Sequence, residues 1–445
     1  MTSTDPAPPS LRVRTVEIDD PGALPALLPG DGGFAWVRHG EGVVGWGEAV
    51  RHKPTGIADA EEWWAELAGS VVVEAELADP PAGAGLLAFG SFVFDPDSAG
   101  RSTLVVPAVV VGRRAGRAWL TRIGTAFGEP PSLEPAAAPR PPSDLTYAGG
   151  ALSVERWQQA VSEAVARIGA GRLDKVVLAR DLMATSSTDL DLRWVLGRLS
   201  ERYPSCWSYL VDGLVGATPE MLVRVEAGRV ASRVLAGTVR RSVAPSPATQ
   251  GRADGRLGAA LAGSSKDLEE HGYAVASVAG SLRPFCSALE VPEEPYVLEL
   301  PNVLHLATDI TGLVRPGSSS LSLAAALHPS AAVCGTPTAA ARTLIAELEH
   351  LDRERYAGPV GWIDARGDGE WGIALRCGQL DETDPRRIRI FAGCGIVAGS
   401  DPEAELAESV AKLMPMREAL ALDGQTLGGQ TLDGQTLDGP SAVGD

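Results

Sequence analysis

Strand-like runs interrupted by single helices, with no regular strand–helix alternation, predict an α+β fold with large antiparallel sheets rather than a doubly wound parallel one. Two further observations agree. Apolar residues make up 44% of the 445 residues against 22% charged, enough to bury a sizeable core in one large domain or two. Runs such as STLVVPAVVVGRR and RAWLTRIG are short and β-branched, as strands joined by tight turns are.

Taken in order, residues 1–10 are Pro- and Ser-rich and predict a flexible start. Residues 11–128 predict a strand-rich N-terminal part. Within it, 34–50 alternates apolar and polar residues around Gly40 and Gly42, the pattern of a β-hairpin. Residues 61–77 predict a helix with Gly69 as a possible break, and LLAFGSFVFDP joins the two runs above as a third strand. Residues 129–150, with EPPSLEPAAAPRPPSD at their centre, read as a Pro/Ala-rich connector, either a domain boundary or a long loop.

Residues 151–421 carry the remaining elements. Ser153 caps a helix whose Trp157, Val161, Val165 and Ile168 form a core stripe. Strands are predicted at LDKVVLARDLMA, WSYLVDG, EMLVRVEAG and RVASRVLAG, and a second helix begins at Ser264 with Asp267 at the capping-box position. PYVLELPNVLHLATDITGLV is one extended strand or a strand pair, two short helices surround LHPSAAVCGTP, and Arg366, Gly367, Asp368 and Gly369 turn a hairpin. Residues 389–413 predict a buried strand, a glycine turn and an acidic helix that starts at Asp401-Pro402. Residues 422–445 repeat GQTL units, a low-complexity tail with too little apolar content to pack.

A net charge of −18 argues against nucleic acid as a partner. An anionic substrate remains compatible if a few basic groups or a divalent cation gather locally. Five scattered cysteines without a CxxC pair suit a reduced cytosolic compartment. No secretory signal and no continuous apolar span is visible, so a cytoplasmic, membrane-free protein is expected.

Several residues invite chemistry. Lys175 lies inside an aliphatic strand, where it either snorkels or sits in a desolvated pocket as a base. Glu220 opens another strand, as an edge carboxylate or as an acid opposite that lysine. Glu270 lies near a helix N-terminus, stabilised there or paired with Glu408 as oxygen ligands for an ion such as Mg²⁺; no zinc-like spacing is present. Gly237 and Thr238 offer amides to a carboxylate or form a plain turn. His305 alternates with aliphatics on a strand, and Arg376, read as a buried-strand arginine, demands an anionic partner.

The segments KVVLAR, TPEMLVR, LAGTVRR, SSKDLEEH, LHLAT, LHPSAAVCGTP, YAGPVGW, ALRCG and AGCGIVAGSDPEAELAES occur in this order over roughly residues 150–420. This series resembles the chorismate-utilising enzymes, most closely the isochorismate synthases of menaquinone and siderophore pathways. The resemblance implies two large antiparallel sheets packed together with helices on the outside. It implies Mg²⁺ on the ring carboxylate of chorismate and exchange of the C4 hydroxyl for one at C2. Lys175 matches the water-activating base and Glu220 the acid for the departing hydroxyl. Glu270 and Glu408 match the metal ligands, with Glu405 as a water-mediated one. Arg376 and Tyr356 match positions that hold the enolpyruvyl carboxylate. Gly237, Thr238, His305, Gly393 and Lys412 match other substrate contacts, and Ala332 and Val333 line the pocket.

Within the family, Ala236 stands where aminodeoxychorismate synthases carry a nucleophilic lysine, and Lys175 is absent from the ammonia-using anthranilate synthases. No obligatory glutamine amidotransferase partner is therefore implied, and a monomer is expected. A salicylate synthase, which goes on to eliminate pyruvate, is the alternative, and a non-catalytic chorismate-binding protein is the rival from another class. Cys394 departs from the family's usual alanine.

Overall fold

The computed structural model describes residues 11–30, 32–241, 247–301 and 303–422, with a short strand pair at Thr431–Leu432 and Gln435–Thr436. The first ten residues and nearly all of the repeat tail, given above as flexible start and unpacked end, lie outside the described residues. Among the described residues, two large and almost wholly antiparallel sheets of 13 and 10 strands form the molecule, as an α+β fold requires. The larger sheet runs from Lys175–Thr185 through Arg387–Ile396, Leu214–Thr218 and Trp207–Val211 to the N-terminal hairpin Phe34–Arg38/Glu41–Trp46. In the smaller, Val303–Val314, Arg229–Arg240 and Met221–Glu226 lead to the hairpin Pro359–Asp364/Gly369–Ile373 and on to Leu87–Ser91.

Two apolar layers hold this together. Trp36, Phe89, Leu178, Trp362 and Trp371 belong to the core that joins the inner faces of both sheets. Alternate residues of the larger sheet, Val37, Leu210 and Ile390 among them, point the other way and pack under the helices Leu192–Arg202 and Pro402–Leu420 through Val195, Leu199, Met416 and Leu420. No helix among the described residues is long and apolar enough to cross a membrane.

Several sequence expectations need correction. Residues 129–150 are not wholly a connector, because Thr146–Gly149 forms a strand on Lys175–Thr185. Its four residues, TYAG, show no burial alternation, so periodicity could not reveal it. Strands from before and after that stretch pair directly in both sheets, Phe34–Arg38 with Trp207–Val211 and Leu87–Ser91 with Pro359–Asp364. The helix expected over 61–77 is Ile57–Ser70, and the β-branched Val72 and Val73 open a strand instead. Pro107 splits STLVVPAVVVGRR into Thr103–Val106 and Val109–Arg114, which join different sheets. The helix Pro247–Ala262 was not foreseen, since Gly251, Gly255 and Gly258 weaken its helical signal.

PYVLELPNVLHLATDITGLV is a strand pair, Tyr296–Glu299 on Val303–Val314. LAGTVRR is neither turn nor plain strand. Gly237, at φ +77°, makes a bulge in Arg229–Arg240, and the register against Val303–Val314 shifts there so that Thr238 faces His305.

Two glycines give opposite expectations. Gly251→Ala in the exposed helix meets nothing within 4 Å and should raise stability by up to about 1 kcal/mol in a denaturant titration. Gly237→Ala, forced into a left-handed backbone with Asp267 Cβ 3.1 Å away, should lower it by about 1–2 kcal/mol. Equal midpoints for the two variants would contradict the bulge.

Candidate active site

The seam between the sheets gathers the chemistry. Lys175 is the first residue of its strand and only 1% exposed, so its ammonium cannot snorkel to water. Its Nζ donates to Glu270 Oε1 at 3.0 Å, from the helix Ser265–Leu282 that Ser264 caps by accepting from Asp267 N. Gly395, on the neighbouring strand, makes room for this pair, because a Cβ there would collide with Glu270 Oε1 and lie 3.0 Å from Lys175 Cε. Two residues earlier, a Cβ on Gly393 would sit 2.9 Å from the hydroxyl of Tyr356, whose ring stacks on Phe391 at 5.0 Å.

Glu220 stands where the chain crosses from Leu214–Thr218 in the larger sheet to Met221–Glu226 in the smaller. Thr218 Oγ1 accepts its backbone N–H at 3.2 Å, which fixes the corner. Burial pushes the Glu220 carboxyl up to about 7, against the opposing pull of the Leu235 amide and of Lys175, Arg376 and Lys412. At neutral pH a large fraction of this carboxyl therefore keeps its proton.

Arg376 does not lie in a strand, as expected, but in the loop between Gly369–Ile373 and Cys377–Leu380 at φ +49°. Its Nη2 donates to His305 Nε2 at 3.3 Å, and His305 Nδ1 lies 2.9 Å from Thr238 Oγ1. A guanidinium only donates, so Nε2 accepts and Nδ1 carries the hydrogen to Thr238. Burial, with Arg376 and Lys412 nearby, holds the His305 pKa well below its usual value and keeps the ring neutral. The relay leaves the Thr238 hydroxyl hydrogen for a further acceptor.

The acidic helix Pro402–Leu420 completes the site. Asp401 caps it by accepting from the amides of Glu403 and Ala404. One turn apart, Glu408 Oε1 meets Lys412 Nζ at 2.5 Å, and the same ammonium donates to Gly393 O at 3.0 Å. Burial opposes the charge on Lys412, but Glu408 outweighs it and holds its pKa above the usual lysine value.

Potential ligand atoms of Cys394, Glu405 and Glu408 all lie within 4.8 Å of one another. Burial and the Glu408 charge push the Cys394 thiol well up, so it stays a neutral, soft donor, while the two carboxylates suit a hard cation such as Mg²⁺. Glu270 is outside this three-residue cluster and is held by Lys175 instead. The sequence had given Glu405 the lesser role; here it is the buried carboxylate beside Glu408.

Glu220, Gly237, Thr238, Glu270, His305 and Ala332 line one cavity, and so do Val333, Tyr356, Arg376, Gly393 and Lys412. Lys175, Glu405 and Glu408 are not among its lining residues; Lys175 is held behind Glu270, with which it pairs. Its open space is about 60 Å³, room for a few waters.

Sequence reading missed Arg353. This buried arginine lines the same cavity, pairs with Glu349, and donates to Val333 O at 2.8 Å and Val177 O at 2.7 Å. Embedded in the polar run LDRERY, it reads as surface; the four-residue spacing from Glu349 was its only signal.

Comparison with known proteins bears on this arrangement. The model of the family described as chorismate binding enzyme matches residues 34–421. The chain belongs to the chorismate-binding enzymes. Relatives in this family include isochorismate synthase DhbC of Bacillus subtilis, 41% identical over 281 residues that span 60% of this chain and 68% of that one. Isochorismate synthase EntC of Escherichia coli K12 is 38% identical over 271 residues, 60% of this chain and 67% of its own. The solved structure of MenF, the menaquinone-specific isochorismate synthase of Escherichia coli, superposes with a TM-score of 0.74 at 25% identity, covering 94% of this chain and 96% of that one. The two-sheet architecture and the seam of this chorismate-binding enzyme are thus those of a shared fold.

Glu220 gives a stability test. Its folded pKa, about 7, exceeds its ordinary 4.5, so stability is full below pH 4.5 and falls as pH rises toward 7, by on the order of 3 kcal/mol. Glu220→Gln cannot ionise and should be the more stable protein at pH 8 but not at pH 4.5. Denaturation curves that keep the same order at both pH values would refute the buried, proton-bearing carboxyl.

Proposed function

We propose that this chorismate-binding enzyme is a Mg²⁺-dependent isochorismate synthase, converting chorismate to isochorismate for menaquinone or siderophore biosynthesis. The observation that carries the reading is one seam holding a buried lysine paired with Glu270 of the cavity wall and a proton-bearing glutamate in the same wall. The names of the relatives support the same chemistry.

In this reading Lys175 acts in its deprotonated form, not as the ammonium paired with Glu270, and its amine takes a proton from water as the water oxygen bonds to C2 of the ring. Glu220 donates a proton to the C4 hydroxyl as the C4–O bond breaks, so one water enters and one leaves while the ring double bonds shift. Arg376, positioned through His305, and Tyr356 hold the enolpyruvyl carboxylate, and Thr238 has a hydroxyl hydrogen to give. Glu405 and Glu408, together with Glu270, would hold Mg²⁺, which when bound offsets the charge of the ring carboxylate. Ala332 and Val333 shape the wall, and Lys412 adds a cation.

Purified protein given chorismate and Mg²⁺ should form isochorismate; stoichiometric pyruvate with fluorescent salicylate would instead establish a salicylate synthase. Lys175→Ala should lower turnover by at least about 100-fold while chorismate still binds, and wild-type turnover would remove the base assignment. Because the acid form of Glu220 is required, kcat/KM should fall as pH rises through about 7. Glu408→Gln should shift the Mg²⁺ titration to higher concentration, and an unchanged titration would count against the ligand.

A further inference from the structure

His271 follows Glu270 on the helix Ser265–Leu282 but is not among the residues that line the catalytic cavity. It is buried, and both of its ring nitrogens have partners. Nδ1 lies 3.2 Å from the carbonyl oxygen of Ala236, and Nε2 lies 2.7 Å from Thr308 Oγ1. A carbonyl only accepts, so Nδ1 carries a hydrogen and donates it to Ala236. Thr308, on the strand Val303–Val314, holds the opposite edge of the ring.

The place where this hydrogen bond lands is the weak point of its strand. Ala236 is in register with Leu306 and Thr238 with His305, while Gly237 between them has no partner. A bulge leaves its extra residue outside the ladder and disrupts the pairing around it. The strand Met221–Glu226 pairs with Arg229–Arg240 only over Arg229–Ala231, so it gives the bulge no ladder on the other side. Support comes instead from the helix Ser265–Leu282. A Cβ on Gly237 would lie 3.1 Å from Asp267 Cβ, and one turn further along His271 donates to the carbonyl of Ala236.

What the bulge presents to the cavity is Thr238, whose hydroxyl accepts from His305 Nδ1 at 2.9 Å and so ends the relay from Arg376. The same helix that brings Glu270 to the seam therefore also sets the height of the groups facing it on the neighbouring sheet.

We propose that His271 is a positioning residue for substrate binding: by donating to Ala236 it pins the Gly237 bulge, and through the bulge the Thr238–His305–Arg376 relay. This rests on the function given above, in which the relay holds the enolpyruvyl carboxylate. That carboxylate is remote from C2 and C4, so the effect of His271 falls on KM more than on kcat.

Two substitutions separate the two edges of the ring. An asparagine amide reaches the Nδ1 position and can still donate to Ala236, whereas a glutamine amide reaches the Nε2 position and keeps only Thr308. Each loses one buried contact, so both should lower the midpoint of a urea titration. His271→Gln should raise chorismate KM, and the Kd read by calorimetry, by about three- to tenfold. Its kcat should stay within about twofold of wild type and its Mg²⁺ titration should be unaltered. His271→Asn should rescue KM to within about twofold of wild type. Equal KM values in the two variants, or a loss confined to kcat, would overturn the proposal and leave His271 a packing residue. If neither variant folds, Thr308→Val decides: freeing the ring should raise KM by about threefold, and an unchanged KM would overturn the proposal. Wild-type protein that neither binds nor converts chorismate would remove the functional reading and this proposal with it, whereas the outcomes above remove this proposal alone.

Discussion

A lysine–glutamate pair taken out of water at the meeting of two sheets is the constraint to which the rest of the site answers. Removing an ion from water costs several kcal/mol, so Lys175 is tolerable at 1% exposure only because Glu270 reaches it at 3.0 Å. That contact needs the helix Ser265–Leu282, packed on Arg229–Arg240, to bring Glu270 to the seam, and it needs Gly395, since any side chain there would displace the carboxylate. The second pair, Glu408 with Lys412, repeats the logic on the acidic helix and ties it through Lys412 to the carbonyl of Gly393. Strand glycines, capped helix and buried lysine are thus parts of one arrangement for keeping charge inside an apolar seam.

The same economy explains how a protein with a net charge of −18 accommodates an anion. Basic groups are concentrated where the seam opens: Arg376, Lys412 and Arg353 line the cavity, and Lys175 pairs with Glu270 in its wall. Glu220 is the exception among the charged groups of this wall. Desolvation acts on it more strongly than the surrounding cations do and pushes its carboxyl up to about 7.

Local features of this arrangement were legible in the sequence. The glycine-spaced strand, the Asp401-Pro402 helix start and the i, i+4 spacing of Glu408 and Lys412 are properties of adjacent residues, and so is the alternation that put His305 on a strand. What stayed hidden depends on register and on distant partners. Thr238 faces His305 only because a bulge at Gly237 shifts the pairing of strands 67 residues apart. Arg353 is buried because Val177 and Val333 turn carbonyls toward it, which no local pattern announces. The grouping of Glu405 with Glu408 follows from their i, i+3 spacing, whereas the separation of Glu270 from them follows from how its own helix docks. The glycine-rich helix Pro247–Ala262 and the four-residue strand Thr146–Gly149 escaped for a simpler reason: one has weak helix formers and the other is too short to show a period.

The central claim is that Lys175 and Glu220 together insert one water oxygen at C2 and expel the hydroxyl at C4. Running the reaction on chorismate in water enriched in oxygen-18, and reading the product by mass spectrometry, tests this most directly. Isochorismate carrying one heavy oxygen, at C2, is the expected result. Unlabelled isochorismate would mean that the hydroxyl migrates without solvent water, and would contradict the roles assigned to both residues.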